Sequence, residues 1–155
     1  MKLQISTQLA IFAALELTAR EGRQLSVAEI GEKFGVSSHH LAKVMHVMGR
    51  AGLVRSVRGA GGGYQFAGNA RRTTLLDVAQ LFEDLNSVEQ DTGVVDETPE
   101  GHALREVLNE IDAIALATLG SITIATMRKL VDRCRVGDGR RLKAALSRRK
   151  DQPRF

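Results

Sequence analysis

The sequence predicts a mainly α-helical fold carrying one small antiparallel hairpin, and three observations point to it. Apolar residues recur at steps of three and four along most of the chain. Two short helical stretches meet at Gly35 and run directly into a glycine-rich hairpin between residues 53 and 67. Charge is segregated: residues 1–72 carry ten Lys/Arg against four Asp/Glu, residues 73–132 three against twelve, and residues 133–155 nine against two. A polyanion is therefore attracted to the first block and repelled by the second.

The first helix spans residues 4–20, with Ile5, Leu9, Phe12 and Leu15 joined by Ala13 and Ala19 on one expected buried face. Ser26-Val-Ala-Glu29 has the spacing of a capping box, so a second, short helix starts there and ends near Lys33. Gly35 supplies the left-handed residue of a tight turn, and Ser37 or Ser38 caps the third helix. That helix runs to about Ala51. It buries Leu41, Val44, Met45 and Met48 and turns Ser38, His39, Ala42, Lys43 and His46 to solvent, with Gly52 as its stop.

Leu53–Val57 and Tyr64–Ala67 read as the two strands, joined by Arg58-Gly-Ala-Gly-Gly-Gly63. Thr73 or Thr74 caps a fourth helix, with Leu75, Val78, Ala79, Phe82 and Leu85 as its stripe, ending near Leu85. Residues 86–101 are polar and acidic and read as a loop. From His102 a long amphipathic helix carries Leu104, Val107, Leu108, Ile111, Ile114, Ala115 and Leu119, and a further segment follows from Ile122 to Val131. Beyond Asp132 no clean period survives, so residues 133–155 are expected to be a loosely ordered basic tail.

Bulk composition narrows the functional classes. At 155 residues and 43% hydrophobic the chain suits one soluble folded core, and no apolar run is long enough to cross a bilayer. A cytoplasmic location is expected. Cys134 is the only cysteine, which excludes an internal disulfide and any zinc site needing two thiolates from this chain. No nucleophile–base pair, metal set or cofactor fingerprint stands out, so neither enzymatic activity nor a cofactor is expected. The glycines at 59–63 lack the Lys-Ser/Thr ending of a nucleotide phosphate loop and have strands on both sides. His39 and His40, adjacent on a helix, point about 100° apart and do not converge on a metal ion.

Two short helices joined by a tight turn, the second exposing polar residues at its start, form the layout that seats a helix in the major groove. A basic hairpin placed next can reach the neighbouring minor groove. The expected fold is therefore a winged helix-turn-helix domain with a long C-terminal dimerisation helix. Ser37, Ser38, His39, His40 and Lys43 are the expected half-site contacts, with Arg58 at the wing tip as the minor-groove candidate. Lys2, Arg50, Arg55, Gly61, Gly62 and Tyr64 complete the expected DNA surface. Residues 1–72 form the expected DNA-binding domain, 73–132 the helix, acidic loop and dimerisation helix, and 133–155 the tail. The competing reading is a winged-helix module that docks a protein partner and has no operator of its own.

The stretch Gly52-Leu-Val-Arg-Ser-Val-Arg-Gly-Ala-Gly-Gly-Gly-Tyr64 resembles the Rrf2 family of winged helix-turn-helix regulators, of the IscR and NsrR type. The Met1-Lys-Leu start, Val27-Ala-Glu-Ile30, Leu76-Asp-Val78 and His102-Ala-Leu104 extend the resemblance to about residue 131. It implies a bacterial homodimeric transcription factor, usually a repressor, reading a palindromic operator on double-stranded DNA. It further implies dimerisation through Leu104, Val107, Leu108, Ile111, Ile114 and Leu119. The family's sensors hold an iron–sulfur cluster with three loop cysteines, and this chain departs from them: residues 86–101 contain none. Pro99 stands at the last cysteine position and His102 at the histidine that follows, so His102 is the one position left for an effector role. A helix-start residue bonded to its own loop is the favoured reading of His102. An effector, if one acts, is open between a small molecule and a partner protein.

Overall fold

The computed structural model describes residues 2–20, 22–84 and 98–150, with side chains described up to residue 137. Its elements are α1 (Ile5–Ala19), α2 (Val27–Phe34), α3 (Ser38–Arg50), β1 (Val54–Val57), β2 (Gly63–Phe66), α4 (Leu75–Ala79), α5 (Pro99–Ser121) and α6 (Ile124–Lys150). The expected mainly helical winged fold is what these elements build.

Local chemistry explains most of the boundaries. The Ser26 hydroxyl accepts from the Glu29 N–H at 3.1 Å while the Glu29 carboxylate accepts from the Ser26 N–H at 2.8 Å, closing the capping box that starts α2. Gly35 ends α2 with φ of 65°, a backbone conformation that costs a side-chain-bearing residue roughly 1 kcal/mol or more. Ser37, the first of the two serines, caps α3 through the His40 N–H. Strands β1 and β2 pair antiparallel with Val54 opposite Phe66 and Val57 opposite Gly63.

One core unites the chain. Leu9, Ala10, Ala13, Ala14 and Leu17 of α1 pack with Ile30, Leu41, Val44, Met45, Met48 and Val54, and the same cluster takes in Leu75, Val78 and Ile124. Packing is thus continuous past residue 72. Thr73–Leu75 pair with Ile122–Ile124: the Leu75 N–H donates to the Ile122 carbonyl at 2.8 Å and the Ile124 N–H to Thr73 at 2.9 Å. That short extended pairing breaks the helix between α5 and α6 and anchors both to the core.

Four expectations are corrected. Ile5 (65% exposed) and Phe12 lie outside the core, because the small residues Ala10, Ala13 and Ala14 let α1 approach its neighbours along another face. Helix α4 is only five residues long, closing at Ala79 in tight turns, and Leu85 lies outside the described residues. The long helix begins earlier than His102, with Thr98 as cap and Pro99 in its first turn, where a missing N–H costs nothing. Residues 133–150 continue α6 rather than forming an aperiodic tail. Arg, Leu, Lys and Ala, which favour helix, recur through this segment and offset the cost of Gly137 and Gly139. Residues 86–97 of the expected acidic loop, and 151–155, lie outside the described residues.

Candidate nucleic-acid interface

Helix α3 is divided lengthwise. Leu41, Val44, Met45 and Met48 are buried against α1 and β1, while Ser38, His39, Ala42, Lys43, His46 and Arg50 are exposed. At about 100° per residue the exposed set forms one continuous strip with Ala42 and His46 near its centre. His46 was missing from the residues expected to meet DNA, although its place one turn beyond Ala42 is readable from the helical period.

His40 stands apart from this strip. Its ring Nε2 lies 3.3 Å from the Ser6 hydroxyl of α1, so its side chain lies against the neighbouring helix, half-buried, at the edge of the reading face. Arg50 occupies the opposite end of α3 from Ser38, roughly 18 Å away along the helix axis.

The wing is held on three sides. Arg55 and Gln65 face each other across the sheet, and the Arg55 guanidinium donates to Gln65 Oε1 at 2.9 and 3.2 Å. Tyr64 pairs backbone-to-backbone with Leu25, an isolated bridge on the edge of β2 that faces away from β1. Gln24 donates its amide to the Gly61 carbonyl at 2.9 Å, tethering the wing tip to the loop before α2. Gln24 escaped the sequence reading because its partner lies 37 residues away.

Gly63 is glycine for an internal reason. A Cβ there would lie 2.5 Å from the Leu25 carbonyl oxygen, so the backbones of Leu25 and β2 approach only without one. Gly61 remains exposed at the tip, Gly62 is half-buried, and Arg58 is exposed in the turn between the strands. Lys2 is exposed just ahead of α1.

A separate cluster supports α2 from behind. Glu16, with 7% of its side chain exposed, is ion-paired with Lys33 and, at 3.1 Å, with Arg20. Lys33 also lies 5.4 Å from the ring centre of Phe34, which stacks on Phe12. Glu29 is exposed, and its carboxyl is held below the usual 4.5 chiefly by the Ser26 N–H, then by the Ser26 hydroxyl, with Arg23 adding to both.

On α5, Leu104, Val107, Leu108, Ile111 and Ile114 are between 44% and 59% exposed, and Leu119 alone of the expected dimerisation residues packs against the core. His102 is exposed in the first turns of α5, with its N–H donating to the Thr98 carbonyl at 3.0 Å. Iron–sulfur clusters are held chiefly by thiolates. The chain's one thiol, Cys134, is exposed on α6, and among the described residues no three His, Cys, Asp or Glu side chains are grouped to hold a metal. A cysteine-held cluster therefore does not fit the donors present. Among the described residues no helix is long and apolar enough to cross a membrane.

Residues 3–129 match the family model Rrf2, described as iron-dependent transcriptional regulator. BadM of Rhodopseudomonas palustris, assigned as an HTH-type transcriptional regulator, is 46% identical over 132 residues, covering 85% of this chain and 84% of BadM. Among solved structures, IscR of T. potens is 27% identical with a TM-score of 0.70, covering 86% of this chain and 90% of its own. CymR, the global cysteine regulator of B. subtilis, is 25% identical with a TM-score of 0.71 and coverage of 84% and 98%.

Proposed function

Because this chain belongs to the Rrf2 family of DNA-binding transcriptional regulators, we propose that it acts as a homodimeric repressor on a palindromic operator. The observation that carries the reading is the split of α3, apolar side in the core and polar side exposed, with a braced basic wing following it directly in the chain. Ser37, Ser38, His39, Lys43 and the centrally placed His46 meet base edges and phosphates in the major groove. Arg58 reaches the adjoining minor groove, where its charge gains most if the groove is narrow. Lys2, Arg55 and the Gly61–Gly62 backbone hold phosphates.

Residues 1–72 serve as the reading head and residues 73–132 as the pairing unit. The exposed stripe of α5 supports pairing, since a soluble monomer rarely leaves so continuous an apolar row in water. A twofold dimer places the half-sites about one helical turn apart, roughly 34 Å, or a multiple of that. Family members regulate transcription rather than catalyse reactions, and this chain is read as doing the same without an iron–sulfur cluster. A location in the cytoplasm, with the DNA, follows from that role.

Selection of bound duplexes from a random library with the purified full chain tests the reading. A palindromic consensus, weakened by Lys43→Ala and by Arg58→Ala, is expected. Failure to enrich any sequence at low ionic strength overturns it.

A further inference from the structure

Helix α1 begins without a cap of its own. Gln4, at the cap position, makes no side-chain cap hydrogen bond, and the first turn carries no acidic residue. Unfilled N–H groups and the positive end of the helix dipole at such a start favour an anionic acceptor. That acceptor comes from far along the chain. Glu83, in the segment following α4, accepts from the Gln4 N–H at 2.7 Å and from the Thr7 hydroxyl at 2.6 Å, both through Oε1. Thr7 is fully buried, so its hydroxyl needs this partner.

The residue between these two donors and the DNA-reading helix is Ser6. Its hydroxyl lies 3.3 Å from His40 Nε2, and His40 occupies the first turn of α3 beside Ser38 and His39. The first turn of α1 is therefore gripped twice, by Glu83 through Gln4 and Thr7, and by His40 through Ser6.

We propose that Glu83 is a positioning residue for DNA recognition: its carboxylate fixes the start of α1, and Ser6–His40 passes that position to the reading end of α3. The inference rests on the operator-binding reading above. Operator recognition requires base-contacting side chains to be held within a fraction of an ångström, whereas non-specific binding responds mainly to charge. Glu83 thus acts on specificity, through geometry, without touching DNA.

Charge gives the test its sign. Removing a carboxylate from a polyanion-binding protein strengthens binding by simple electrostatics. Positioning predicts the reverse for the operator. The full-length chain and its Glu83→Ala variant are titrated against the selected operator and a scrambled duplex, at a temperature where circular dichroism shows both folded. Operator affinity is expected to fall about tenfold, within the range of one lost base contact, while scrambled-duplex affinity holds or rises. Glu83→Gln keeps an acceptor oxygen without the charge and is expected to recover most of the operator affinity. Thr7→Val removes one donor and decides the matter should Glu83→Ala not fold; a loss of about threefold is expected, half the free-energy effect.

Coupling provides the second readout. Ser6→Ala alone should weaken operator binding, and adding Glu83→Ala should cost less than the sum of the two single losses. Operator affinity within about twofold of the unmodified chain in folded Glu83→Ala and Thr7→Val overturns the inference while leaving operator binding intact. An unmodified chain that prefers no duplex overturns the operator reading and this inference with it.

Discussion

Leu25 and Tyr64 exchange two backbone hydrogen bonds, 3.0 and 2.8 Å long, so Tyr64 of β2 is paired on both sides and the wing is bonded to the loop that precedes α2. The neighbouring Gly63 makes this approach possible. A methyl group there meets the Leu25 carbonyl at 2.5 Å, and backbone must move to admit it. Gly63→Ala is expected to destabilise the fold by about 1–3 kcal/mol, as overpacking typically does, and to loosen the wing. Chemical denaturation together with amide exchange at Tyr64 checks this, and an unchanged exchange rate at Tyr64 would count against the bracing role.

The capping box of α2 sets a pH dependence. The carboxyl of Glu29 is held below its ordinary 4.5 in the folded chain, first by the Ser26 N–H, next by the Ser26 hydroxyl, and further by Arg23. A depressed folded value means the contribution is complete above 4.5 and is lost as the pH falls through the depressed value. Glu29→Gln should therefore flatten part of the acid limb of a urea-midpoint profile and leave its neutral region less changed in slope. Ser26→Ala should cost about 1 kcal/mol at neutral pH, with the loss concentrated in α2.

Glu16 is a buried carboxylate with two cations, Lys33 and Arg20, each more than a third exposed. Either cation alone still compensates the charge, so Lys33→Met and Arg20→Met should each be mild. Together they strand the carboxylate. The double variant is expected to lose about 1–3 kcal/mol more than the sum of the singles, and Glu16→Gln added to it should recover part of that. Strict additivity in denaturant melts would refute the shared-partner arrangement.

How much of this was readable beforehand depends on the range of each interaction. Ser26 with Glu29 and the Gly35 turn are decided within a few residues, so spacing and residue type suffice. The buried face of α3 was equally legible, because its apolar residues alternate cleanly with polar ones. On α1 the apolar residues nearly encircle the helix, and the period could not say that Ala10, Ala13 and Ala14 rather than Ile5 and Phe12 would meet the core. Glu83 with Gln4 and Thr7, and Gln24 with Gly61, join residues 37 to 79 positions apart, and no local pattern announces them. The continuation of α6 beyond Asp132 was missed for another reason. No apolar stripe marks residues 133–150, where Arg, Leu, Lys and Ala favour helix against the cost of Gly137 and Gly139.

The row Leu104, Val107, Leu108, Ile111 and Ile114 offers a direct test of pairing. Ile111 lies at its middle and is 54% exposed in the single chain. A carboxylate there must be desolvated when two such rows meet, at a cost of several kcal/mol, whereas in a lone chain it stays in water. Ile111→Asp should therefore leave a folded monomer by sedimentation where the unmodified chain is expected to sediment as a dimer. Equal sedimentation of the two at every concentration would remove α5 as the pairing surface.

Salt dependence separates the two parts of the proposed DNA contact. Each phosphate neutralised contributes about 0.9 to the slope of log affinity against log salt, so a residue that holds a phosphate leaves a signature that a base contact does not. Lys2 is exposed beside the start of α1, and replacing it should lower the slope by about 1 on every duplex alike. His46, at the centre of the reading strip, should behave oppositely: His46→Ala leaves the slope nearly unchanged and relaxes sequence preference at one position of each half-site. Arg50, some 18 Å from Ser38 along α3, is the discriminating case. If α3 enters the groove by its N-terminal end, Arg50 stands clear of the bases, and Arg50→Ala should alter the slope without altering the consensus. A changed consensus would instead mean that α3 lies along the groove over its whole length, and the docking geometry proposed here would have to be redrawn.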